Sequence, residues 1–91
     1  MPKFAACESQ GVPWFKERSI WQDAHTGYIP KPGDIVFFDW SHDGRPQHVG
    51  IVERIEGEVV HTIEGNTSDM VARRSYRLDS ADLLGYGTPV Y

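Results

Sequence analysis

Two runs rich in β-branched residues, His48–Ile55 and Val59–Gly65, are separated only by Glu56-Gly57-Glu58, and this constrains the chain more than any other feature. Strand-length apolar runs joined by so short a connection are the signature of an antiparallel hairpin. The register follows from burial, because pairing is specified strongly only where it gathers apolar side chains on one face. With a three-residue loop, Ile55 opposes Val59, Ile51 opposes Ile63, Val49 opposes Gly65 and Glu53 opposes His61. Val49, Ile51, Ile55, Val59 and Ile63 then share a face that can be buried. A two-residue loop would set Val49 beside Glu64 and Ile55 beside Glu58, mixing apolar with charged. The three-residue loop is therefore expected, with Gly57 supplying a left-handed residue at little cost.

The same register has a chemical consequence. His48 falls opposite Asn66, and Glu64 opposite Gly50, all on the other face and at one end of the hairpin. Diagonal neighbours in a sheet lie within about 7–8 Å, close enough for these side chains to meet. An imidazole beside a carboxylate and an amide is the orienting half of a nucleophilic site. The polar partner fixes the ring tautomer and supports the imidazolium, as the third member of a triad does. On geometry alone, a His beside a Glu at a strand start is more often a partly exposed structural pair.

Val12–Arg18 reads as a short helix with Pro13 in its first turn, where the missing N–H costs least, and with Trp14 and Phe15 as buried anchors. Gly27 breaks the chain, and Pro30-Lys31-Pro32-Gly33-Asp34 is a turn that launches extended chain. Asp34–Trp40 is an apolar run of strand length, followed by the polar loop Ser41–Gln47. Val71–Leu78 is more polar and reads as an edge strand, where Arg73-Arg74 would discourage aggregation. Leu83–Tyr91 closes the chain with alternating Leu, Tyr and Val. The expected fold is α+β in one domain over 1–91. A helical segment occupies 1–30, and an antiparallel sheet of about five strands occupies 31–91.

Ninety-one residues bury only about 60–65% of their unfolded surface, so any missing element matters. The net charge of −4 gives no electrostatic reason to expect nucleic acid or an anionic membrane as partner. No apolar run approaches the roughly 18–20 residues of a membrane span. Met1-Pro2-Lys3 is not followed by the hydrophobic stretch of a signal peptide, so synthesis in the cytoplasm is expected. Cys7, the single cysteine, excludes an internal disulfide and a Cys-based metal cluster. His25, His42, His48 and His61 show neither HxxxH nor HExxH spacing. Asp39 and Asp43-Gly44 lack the further acidic positions of a calcium loop and read as solvated loop residues. His61 is expected to pair with Glu53 across the hairpin. No metal and no cofactor are expected.

Pro32-Gly33-Asp34-Ile35-Val36-Phe37-Phe38, Gln47-His48-Val49-Gly50-Ile51-Val52 and Thr62-Ile63-Glu64-Gly65-Asn66 resemble, in order and spacing, the CHAP family of cysteine, histidine-dependent amidohydrolases and peptidases. Gly85-Tyr86-Gly87 is similar to the family's closing strand, so the likeness runs from about Pro2 to Tyr91. It implies a papain-like fold and cleavage of a peptide or N-acetylmuramoyl–L-alanine amide of peptidoglycan, as in a phage lysin or a bacterial wall-remodelling protein. By the same resemblance His48 is the catalytic base and acid, and Glu64 and Asn66 orient it, either one bonding the ring. Trp40 lines the substrate groove or is a plain rim aromatic.

The family's nucleophilic Cys begins a long helix N-terminal to the segment that resembles Pro2–Gly27, and this sequence starts after it. Cys7, forty-one residues before His48, resembles a non-catalytic position and is expected to be a small half-buried hydrophobe. A thiolate near neutral pH needs a helix N-terminus or an imidazolium beside it. The expectation is a truncated domain that is hydrolytically inactive or weak alone and acts on the wall only if exported or released. Self-association is expected over the sheet face carrying Val52 and Val60, which the helix would cover. The alternative is a non-catalytic relative that binds wall peptide or a partner protein.

Overall fold

The apolar run after the Pro-Gly-Asp turn becomes the strand around which everything else is arranged. The computed structural model describes residues 11–65 and 71–89. Among these, one helix, α1 (Gly11–Glu17), precedes six strands: β1 (Trp21–Asp23), β2 (Ile35–Phe38), β3 (His48–Glu56), β4 (Val59–Gly65), β5 (Val71–Arg77) and β6 (Leu83–Gly87). The strands form one antiparallel sheet in the order β1-β6-β2-β3-β4-β5.

β2 is buried at every position, which is why its sequence lacks alternation. Val36 and Phe38 join a cluster with Val52, Val60, Leu83 and Tyr86 on one face. Ile35 and Phe37 point the other way, into a cluster with Val12 and Phe15 of α1. The rings of Phe15 and Trp21 lie where side chains at Gly87 and Gly85 would project, so β6 needs glycine to receive them.

The turn before β2 is closed by Asp34. Its Oδ2 accepts the Tyr28 hydroxyl at 2.6 Å and the Lys31 N–H at 2.9 Å. Gly33 takes a φ of 94°, and Gly33 and Asp34 exchange backbone hydrogen bonds with Val52, stitching the turn to β3. Burial, and then the Asp34 carboxylate, push the Tyr28 phenol above its ordinary range.

The α+β architecture is as expected, with one strand more. β1 lies inside the 1–30 segment, where only helix was expected, because α1 ends at Glu17 and Ser19 turns the chain with a φ of 57°. Three residues carry too little periodicity to announce a strand. β5 holds the expected edge position.

The hairpin departs from expectation at its tip. Ile51 opposes Ile63, as the three-residue loop required, yet Glu56 opposes Val59 across a two-residue turn. A bulge between Val52 and Arg54 absorbs the difference. Gly57, with a φ of 59°, takes the first central turn position, where a glycine suits a hairpin of this length. The shift sets His61 opposite Arg54, with its Nε2 3.6 Å from Glu56 rather than beside Glu53. Glu53 instead pairs with Arg54 and Arg73.

The buried face is also the opposite of the one expected. Val52 and Val60 are buried in the first cluster, so they form no uncovered surface for self-association. The other face leaves Ile51 48% and Val71 73% exposed. Sequence patterning could not decide, because both faces of β3 and β4 carry apolar residues.

Candidate functional site

His48 opens β3, and Glu64 stands near the end of β4. The register that pairs Ile51 with Ile63 brings Glu64 over Gly50, on the face that carries His48. His48 Nε2 lies 2.9 Å from Glu64 Oε1. Gly50 is what allows this: a Cβ there would sit 2.8 Å from the Glu64 Cγ and 3.1 Å from the Ile63 carbonyl oxygen.

Glu64 is a carboxylate with 3% of its surface exposed, so its oxygens need partners within the protein. Oε1 takes the His48 ring. Oε2 accepts the Thr62 hydroxyl at 2.6 Å and the Tyr76 hydroxyl at 2.8 Å. Thr62 lies two residues before Glu64 and therefore on the same face of β4. Tyr76 comes from β5, which pairs it with Val60. Burial, and then the hydrogen bond to Glu64, push the Tyr76 phenol above its ordinary range. Neither Thr62 nor Tyr76 was marked by the sequence reading. Thr62 could have been found from its i−2 spacing to Glu64, whereas Tyr76 depends on the β4–β5 register.

The His48 ring is also packed. Phe38 lies 5.6 Å from it between centroids, and Trp40 stacks on it at 5.8 Å and 28°. Trp40 in turn stacks on Phe38 at 5.0 Å and 15°, leaving 43% of its own surface exposed. The loop after β2 holds this indole in place. Asp39 accepts the Gly44 N–H at 2.7 Å and the Asp43 N–H at 3.2 Å, and Gln47 closes on Ser41 through both ends of its amide. Asp39 is thus a buried closing group rather than a solvated one.

Trp40, His48, Glu64, Gly65, Ala72, Arg74 and Tyr76 line a cavity of about 430 Å³. Three of the residues singled out from sequence, Trp40, His48 and Glu64, therefore meet at one opening. Asn66 and Cys7 lie outside the described residues. Among the described residues, no group of three or more His, Cys, Asp or Glu is placed to hold a metal ion, and no helix is long and apolar enough to cross a membrane.

An ionised Glu64 can only accept, and it accepts from Thr62 and Tyr76, which places the proton of the His48 contact on Nε2 of the ring. Nδ1 is then the ring nitrogen that Glu64 does not engage. An imidazole held by a buried carboxylate at the mouth of a cavity has the geometry to accept and return a proton. The CHAP domain family model matches residues 3–66, spanning α1 to the end of β4, and the chain belongs to that family of amidohydrolase and peptidase domains of peptidoglycan-hydrolase type. No curated protein and no solved structure matches the chain.

Proposed function

We propose that this chain is the histidine-bearing part of a cysteine amidase or endopeptidase that cuts peptide or N-acetylmuramoyl–L-alanine amides of bacterial peptidoglycan, reaching the wall after export or release. One observation carries the reading: His48 is tied through Nε2 to the buried Glu64 at the mouth of a cavity. In the reaction, Nδ1 takes the proton of a cysteine thiol and the thiolate adds to the amide carbonyl. His48 then returns the proton to the leaving nitrogen as the C–N bond breaks. Water, deprotonated by the same ring, releases the acyl group from sulfur.

A second reading, a binding module for wall peptide, is favoured by the exposed Trp40 ring and the Arg74 guanidinium that line the cavity. The two separate on dye-labelled peptidoglycan treated with the purified protein, its His48→Ala variant and its Cys7→Ser variant. Dye release that His48→Ala abolishes supports the hydrolase, and loss in Cys7→Ser as well makes Cys7 the nucleophile. Sedimentation with peptidoglycan without release supports the binding module. Release unaffected by His48→Ala would overturn the site assignment.

A further inference from the structure

The cavity carries a second charged group whose position the His48–Glu64 pair does not explain. Arg74 stands on β5 directly opposite Thr62, and its neighbour Ala72 stands opposite Glu64. The small Ala72 side chain leaves open the space beside the carboxylate. Arg74 Nε approaches Glu64 Oε1 at 3.9 Å, too far for a hydrogen bond, while that oxygen is already engaged by His48. The Arg74 side chain is 57% exposed and lines the cavity. Arg73, next to it, belongs to the other face, where it binds Glu53 at 3.1 Å.

We infer that Arg74 is a carboxylate-binding subsite, and that the ligand of this cavity is a peptide carrying a free carboxylate close to the group that reaches His48. The guanidinium presents a planar fork of donors that matches a carboxylate in bidentate fashion. Its nearest acidic neighbour among the described residues, Glu64, stands 3.9 Å away, outside hydrogen-bond distance, and so leaves the fork open to a ligand carboxylate. Trp40, exposed on one side and braced by Phe38 on the other, gives the ligand a flat apolar wall. Arg74 and His48 both line the cavity beside Glu64, so a carboxylate bound at the first holds the rest of the ligand near the second. The inference deepens the function proposed above, but its binding component stands without catalysis.

The test uses the 91-residue protein in NMR titrations with N-acetyl-alanyl dipeptide amides ending in L-Glu, D-Glu and the matching Gln residues. At least one Glu dipeptide should bind about tenfold more tightly than its Gln partner, with shifts at Trp40, His48 and Tyr76. Arg74→Gln should erase the difference, and Arg73→Gln should leave it intact. Equal binding of acid and amide, a preference that survives Arg74→Gln, or no shift up to about 10 mM ligand would overturn the subsite. Failure of the hydrolase reading appears separately, as a Glu preference retained by a protein that releases no dye from peptidoglycan.

Discussion

The Nε2 of His48 lies 2.9 Å from Oε1 of Glu64, a carboxylate that is nearly sealed from solvent. The ring therefore carries its proton on Nε2 when neutral. Long-range ¹⁵N–¹H spectra should show this tautomer for His48, and a mixture of tautomers in Glu64→Ala. That variant also strips the Thr62 and Tyr76 hydroxyls of their acceptor. It should lower stability by about 2–4 kcal/mol in urea unfolding. A wild-type ring protonated on Nδ1 would show that Glu64 does not hold it.

Gly50 is the second requirement of the site, because a Cβ there meets the Glu64 Cγ at 2.8 Å. Gly50→Ala must displace either the Glu64 side chain or the β3–β4 pairing. The expected outcome is a loss of about 1–3 kcal/mol, together with the mixed tautomers of Glu64→Ala. A stable Gly50→Ala protein with an unchanged His48 spectrum would mean that Glu64 can yield without releasing the ring.

Thr62 and Tyr76 share one acceptor, Oε2 of Glu64. Removing either hydroxyl, by Thr62→Val or Tyr76→Phe, leaves the oxygen with one donor and should cost about 1–2 kcal/mol. Removing both leaves a buried oxygen with neither donor, so the double variant should lose more than the sum of the single ones. Urea titrations of the four proteins measure the coupling. Strict additivity would show that the two hydroxyls do not act on the same atom.

Much of this arrangement was legible in the sequence, for reasons that differ between its parts. The three motifs mark turns and strands whose side chains must alternate, so His48 and Glu64 could be assigned to one face before any coordinates. The pairing of Ile51 with Ile63 followed from the same alternation. The tip of the hairpin did not, because a bulge at Glu53 lets a short turn and the favoured register coexist. The choice of buried face failed because Val49, Ile51, Ile55, Val59 and Ile63 outnumber the apolar residues of the face that also carries Thr62 and Glu64. Thr62 and Glu64 are buried because they satisfy each other and because Tyr76 arrives from β5. Nothing local to Tyr76 reveals that approach. The strand at Trp21 escaped notice because three residues show no period, and its partner β6 lies sixty residues away in the chain.

Asp39 sets a pH dependence on the loop that carries Trp40. Burial alone would raise the pKa of its carboxyl above the ordinary 3.8, but the Gly44 and Asp43 N–H groups outweigh this and hold it below that value. A carboxyl whose pKa is depressed in the folded state contributes stability that is fully present above its unfolded value. That contribution is lost as the pH falls through the folded value. The loop should therefore stay closed at and above the ordinary carboxylate range and open only in stronger acid. The amide signals of Gly44 and Asp43, followed downward from neutral pH, should shift together with a midpoint below 3.8. In Asp39→Asn, which keeps an acceptor but no titrating charge, this acid step should vanish and both amides should exchange faster at neutral pH. A midpoint above 3.8 would mean that burial rather than the two N–H groups governs Asp39, and that the Trp40 wall is held by Gln47 and Ser41 alone.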